Sequence, residues 1–384
     1  MIIFSALYGL LYLGTNMVHA VTPAFFQALN YPDYMFGVSF ACMALTNFLT
    51  SPFWGVYASR IGYVRCFMFG GVGYVAGQIL FALSTSVVMT AIARLIVGLF
   101  VAPFMIGGLL YISTISGDEK RGQYMAYFAA VQTASAAGGY FLGGMMGSIS
   151  LNAAFVGQAV LCLLAVVLTA FLVKEEGKEE NPEKVTLQML NPFRPLMEIR
   201  DILDGFLLVF LGMTLCSSFT TYCFDNAFNY YIRDIFAFPP AYNGAIKAAV
   251  GIIGMLANTL INPRLARRGS MNLSIAWVFG LGMMLLLALS GTGSIPLFVI
   301  FAIGYYMANA IYLPIQQTLS AEAGSDAAYG AFMSIRSLGQ MLGGLLAGAL
   351  YTLGARLPFY ASALGFGVAM LMGLINARHE RKTA

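Results

Sequence analysis

Charge is what this sequence has least of. Asp, Glu, Lys and Arg together make up 9% of its 384 residues. A soluble surface carries about 25–35% of such residues, so no soluble domain of this length can be built from so few. Histidine is scarcer still, with only His19 and His379, far apart in the chain. No hydrolytic or redox constellation accompanies them. No Gly-rich phosphate loop ending in Lys-Ser or Lys-Thr occurs, which excludes an ATPase. An enzyme is therefore not expected. The five cysteines, Cys42, Cys66, Cys162, Cys216 and Cys223, lie in or beside apolar runs without ligand spacing. They read as small core residues, so no disulfide framework, metal site or cofactor is expected. The few charges are segregated along the chain, and no basic stripe suits nucleic acid. The first residues, Met1-Ile2-Ile3-Phe4, have no basic leader and no cleavage site before an apolar run. They read as the start of a first helix.

What is abundant is apolar length. Hydrophobic residues make up 59% of the chain, and mean hydropathy is +0.79. A bilayer-spanning helix needs about 20 apolar residues. Twelve such runs are read, at 3–28, 34–57, 66–85, 88–113, 122–146, 151–173, 203–226, 240–261, 271–290, 294–317, 328–352 and 357–377. Helix is the default, because lipid offers no partner for an open backbone and the runs are too long for barrel strands. The 42 glycines suit close approach between such helices. The fold class is an all-α integral membrane protein of twelve transmembrane helices.

The basic residues orient it. Arg60, Arg65, Lys120, Arg121, Lys174, Lys178, Lys184, Arg194, Arg200, Arg264, Arg267, Arg268, Arg378, Arg381 and Lys382 fall on one side, and only Arg233 and Arg356 on the other. Basic residues favour the cytoplasmic side, so both termini and the central loop are expected there. The one strongly charged run, Lys174 to Lys184, reads as a solvated linker. The expected organisation is an N-terminal six-helix bundle over 1–173, a linker over 174–202 and a C-terminal six-helix bundle over 203–384.

Between the second and third spans lies Gly55-Val56-Tyr57-Ala58-Ser59-Arg60-Ile61-Gly62-Tyr63-Val64-Arg65, read as a tight cytoplasmic turn. It returns further on. Pro32, Gly37, Arg60 and Gly62 correspond to Pro239, Gly244, Arg267 and Gly269 at a constant offset of 207. Gly122, Met125 and Gln132 match Gly330, Met333 and Gln340 at an offset of 208. The halves are therefore parallel repeats. The turn resembles the major facilitator superfamily signature Gly-x-x-x-Asp-Arg-x-Gly-Arg-Arg, with which Gly55, Arg60, Gly62 and Arg65 are compatible, while Ser59 stands in the place of the Asp and Tyr63 and Val64 in the places of basic residues. The resemblance implies two six-helix bundles rocking about a central site. It also implies a conformational gate formed by Gly55, Ser59, Arg60, Gly62 and Arg65, with Arg267 and Gly269 as second-half partners.

Polar residues inside spans are functional candidates. The first span carries Tyr8, Tyr12, Asn16 and His19 on one face. The seventh carries Thr214, Ser217, Ser218, Thr221 and Asp225, and the tenth Tyr305, Asn309, Tyr312 and Gln316. Each set steps by three and four, so each forms one stripe. In the superfamily the first, fourth, seventh and tenth helices line the cavity. Interhelical hydrogen bonding is the alternative use of such stripes. Cavity candidates are Tyr12, Asn16, His19, Arg94, Gln132, Ser217, Thr221, Lys247, Tyr305, Asn309, Arg336 and Gln340. Arg94 sits in Arg94-Leu95-Ile96-Val97-Gly98, which resembles the family's Arg-x-x-x-Gly motif; the alternative is an arginine snorkelling to the headgroups. Gly139, Gly143 and Gly144 match part of the family's antiporter motif, with Tyr140 in the place of its proline.

Coupling to protons needs a group that changes protonation. Asp225 is the only carboxylate read within a span, Asp201 and Asp204 lying at an inner end. His19, of ordinary pKa about 6.5, lies on the first stripe. Asp225, His19 and Arg94 are the coupling candidates, with Arg94 able only to bias a neighbour, since it keeps its proton. The expected activity is secondary active transport of a small organic solute by alternating access, proton-coupled and directed outward. A bacterial inner-membrane protein acting as a monomer is expected. The alternatives are an importer or uniporter of an organic anion, argued from the span cations Arg94, Lys247 and Arg336, and a non-transporting receptor or scaffold.

Overall fold

A computed structural model describes residues 2–175, 189, 191–198, 203–261, 270–322 and 326–383. Arg267 and Gly269, of the second loop copy, lie outside the described residues. Twelve long helices carry the chain. They are α1 Ile2–Ala28, α2 Met35–Ile61, α3 Tyr63–Ala82, α4 Val87–Ile115, α5 Gly117–Ile149 and α6 Leu151–Leu172. The others are α7 Gly205–Asp234, α8 Pro240–Leu260, α9 Met271–Gly291, α10 Ile295–Glu322, α11 Asp326–Leu353 and α12 Leu357–Thr383. No strand occurs among the described residues. Twelve helices in the expected places bear out the fold class.

Local chemistry starts several of them. Ser86 caps α4 by accepting the Met89 N–H at 3.2 Å, and Ser270 caps α9 by accepting that of Leu273 at 3.2 Å. The Asp204 carboxylate accepts the Leu207 N–H at 2.7 Å at the start of α7. Pro240 opens α8, where its missing N–H costs nothing. The turn after α2 is tighter than the sequence suggests. α2 runs on through Ile61 and α3 begins at Tyr63, so Gly62 alone reverses the chain. Its φ of 102° lies in the region open to glycine. Within the expected linker, Arg194–Glu198 forms a single helical turn, with Arg194 Nε 2.6 Å from Glu198 Oε1.

Among the described residues, nine of these helices are long and apolar enough by composition to cross a membrane. α5, α8 and α11 fall short of that mark.

By contact, the chain divides into two compact units: Met1–Pro192 with Ile232–Gly251, and Phe193–Tyr231 with Ile252–Ala384. In the first, α1 packs on α5 and α6, and α4 on α2 and α3. Its core gathers Phe4, Tyr8, Leu11, Phe67, Tyr74 and Phe104. The end of α7 and the first half of α8 belong to this unit. Arg233 Nε donates to Gln27 Oε1 at 2.9 Å, and the amide of Ala241 to Ser148 Oγ at 3.0 Å. In the second unit α9 packs on α10 and α12. Phe224 centres an aromatic core there, 4.1 Å from Tyr305 and 5.6 Å from Phe359 between ring centroids.

Candidate functional site

In the first unit the organising residue is Arg94, on α4 and 3% exposed. Its Nη2 donates to Thr22 Oγ1 of α1 at 3.2 Å, and its guanidinium carbon lies 3.7 Å from the Phe81 ring centroid of α3. Its Nε is buried without a partner, and no described carboxylate pairs with it. The side chain therefore does not snorkel; it turns into the helix bundle. Gly98, one turn along, explains the enclosure. A side chain there would overlap the Met43 carbonyl and Thr46 of α2, so only glycine lets α2 close on α4. Thr46 Oγ1 completes that contact by donating to the Leu95 carbonyl at 2.8 Å.

Beside Arg94 lies a network that sequence reasoning missed. The Tyr74 hydroxyl donates to the Thr15 carbonyl at 3.0 Å and accepts from Gln78 Nε2 at 2.8 Å and Gln158 Nε2 at 3.1 Å. Both glutamine carbonyl oxygens are buried and lack a partner. Tyr74 and Gln78, four apart on the third span, were a readable signal. Gln158 lies in the sixth span, and only packing joins it to them.

The α1 stripe divides. Tyr8 is buried and accepts from Gln132 Nε2 of α5 at 2.6 Å. Tyr12 stacks on Tyr8 at 5.8 Å, and Asn16 turns back to its own helix, donating to the Tyr12 carbonyl at 2.8 Å. His19 stacks on Tyr140 of α5 at 6.0 Å. The Lys247 ammonium of α8, largely buried, lies 5.7 Å from the centroid of the same ring. Tyr140, where the antiporter motif has proline, thus brings His19 and Lys247 together. The motif glycines serve packing: Gly139 and Gly143 meet the Leu13 and Met17 carbonyls of α1, and Gly144 meets Pro240 and Gly244 of α8.

In the second unit the α7 and α10 stripes face each other. Gln316 Nε2 donates to Thr214 Oγ1 at 3.1 Å and to Ser217 Oγ at 3.2 Å, all three residues being fully buried. Thr221 Oγ1 and the Tyr312 hydroxyl are 2.5 Å apart. Ser217 is thus used in interhelical bonding. Tyr305 is also fully buried. Half-buried Asp225 of α7 and Arg336 of α11 both lie within electrostatic reach of Tyr222 and Tyr312. Asn309 and Gln340 are half-buried on α10 and α11.

The expected gate residues are placed unequally. Gly55 stands on α2 with nothing near its missing side chain. Ser59 donates to the Val56 carbonyl at 3.3 Å, Arg60 has a buried Nη2 without a partner, and Arg65 is exposed. Among the described residues no cluster of three or more His, Cys, Asp or Glu could hold a metal.

The sequence profile of the Major Facilitator Superfamily matches residues 4–343. The chain belongs to the Major Facilitator Superfamily. It is accordingly a multi-pass membrane protein and a secondary transporter. It is similar to "Multidrug resistance protein 1" of Bacillus subtilis, 24% identical over 94% of this chain and 92% of that one. It is similar to "Quinolone resistance protein NorA" of Staphylococcus aureus, 24% identical over 97% of this chain and 95% of that one. A crystal structure of the nucleoside transporter NupG shares the superfamily fold at a TM-score of 0.80, with 14% identity over 98% of both chains. A structure of a proton-dependent oligopeptide transporter does so at 0.78, with 13% identity over 100% of this chain and 99% of that one.

Proposed function

We propose that this superfamily member exports small organic solutes, drug-like compounds among them, in exchange for protons. One observation carries the reading: relatives that match over 94% and 97% of the chain are both named for drug resistance. The geometry supports it. In the first unit His19 and Lys247 meet across the Tyr140 ring, and in the second Asp225 stands half-buried on α7. Two six-helix halves, 1–173 and 203–384, alternate access to a site near the midplane, joined by a linker over 174–202. The protein acts as a monomer in a bacterial inner membrane, with termini and linker in the cytoplasm.

The test is transport by purified protein in proteoliposomes, using a hydrophobic fluorescent dye. An imposed pH gradient should drive the dye against its own gradient, and collapse of the gradient should abolish that movement. Equilibration that ignores pH would overturn the coupling. A second reading, import or uniport of an organic anion, is favoured by the span cations Arg94, Lys247 and Arg336. It would show as anion-selective flux that follows the solute gradient alone.

Orientation has its own test. In a background without native cysteines, a membrane-impermeant thiol reagent applied outside intact cells should label Asp33→Cys and miss Glu180→Cys. Labelling at position 180 would invert the topology.

A further inference from the structure

The residue that holds the α2–α3 turn in place is not in the turn. Glu175 lies just beyond α6, in the stretch that composition assigns to a solvated linker. Its Oε1 accepts the Val64 N–H and its Oε2 the Arg65 N–H, both at 2.9 Å. These amides belong to the first turn of α3, which has no partner for them within the helix. The positive end of a helix favours a carboxylate, and charge-assisted bonds to it are the strong kind. Gly62 makes the contact possible, since a side chain there would overlap the Glu175 carboxylate. A second hold comes from α4, where the Tyr111 hydroxyl donates to the Lys174 carbonyl at 3.5 Å. Meanwhile Ser59, in the acidic position of the signature, carries no charge and donates to the Val56 carbonyl of its own helix.

We propose that Glu175 is a positioning residue for transport. By fixing the first turn of α3, it sets the geometry in which Arg60 and Arg65 act during the conformational cycle. It supplies from the end of α6 the negative charge that the turn lacks at Ser59. Resting on transport alone, this holds for either direction and with or without protons.

Two measurements on the full-length protein test it. Hydrogen exchange resolved to single amides should find Val64 and Arg65 protected. Glu175→Ala should speed their exchange about tenfold, and Glu175→Gln, with one acceptor left, should fall between. In proteoliposomes Glu175→Ala should lower turnover about tenfold while solute affinity stays within about twofold, because a residue that only sets the cycle does not touch the solute. Adding Glu175→Ala to Arg60→Ala should cost nothing further, since both act through one turn. Unchanged exchange at Val64 and Arg65, unchanged turnover in folded protein, or independent multiplication of the two effects would each overturn the proposal. The exchange result does not depend on a transported solute, so its failure can be told from failure of the transport reading.

Discussion

Arg94→Met should reduce transport at least about 100-fold while leaving the melting temperature unchanged or higher. The two halves of this expectation have separate causes. A buried cation costs several kcal/mol of effective desolvation. The hydrogen bond to Thr22 and the face of Phe81 return only part of that, and Nε remains without a partner. Methionine fills a similar length without charge, so the folded state gains or breaks even. Transport is different, because a cation held inside a bundle with no carboxylate among the described residues on it is available to an anionic group of the solute or to a neighbour whose proton it can bias. Arg94→Lys should rescue little, since a point charge on a flexible stem cannot reproduce the planar stack on Phe81. Transport within a few-fold of the parent in Arg94→Met would make Arg94 a structural residue. A large fall in melting temperature would show that the pairing to Thr22 and Phe81 outweighs desolvation.

Asp225→Asn should abolish uphill transport but keep exchange. A pH difference of one unit supports about a tenfold solute gradient per coupled proton, because one unit corresponds to 1.36 kcal/mol. In Asp225→Asn that accumulation ratio should fall to about one. Exchange of labelled for unlabelled solute at equal pH should persist within about threefold, since exchange moves no net proton. The structure gives the reason to single out this side chain. Asp225 and Arg336, from different helices, bear on the same two tyrosines, so a change of charge at one is felt by the shared surroundings. His19→Gln is the parallel variant for the first unit, where His19 shares the Tyr140 ring with Lys247. Accumulation that survives in both variants would remove these two groups from the coupling and favour the uniport reading.

The sequence by itself determined that the chain crosses a membrane as twelve helices in two parallel repeats. The reason is general: lipid leaves the backbone only the helix or the closed barrel. Apolar run length, scarce charge and the 207-residue offset are all visible without coordinates. The stripes on α1, α7 and α10 were readable too, because helical periodicity is local. What the polar residues do was not readable, because partners come from other helices. Only tertiary structure decided that Ser217 and Gln316 bond to each other and that Arg94 turns inward under α2. It alone joined Gln158 to Tyr74. The turn shows the limit most directly. Its glycine and arginines were legible in sequence, but the carboxylate that fixes it comes from Glu175, 110 residues beyond Arg65. No local pattern predicts such a contact, since chain separation sets no bound on which groups a folded bundle brings within hydrogen-bonding distance.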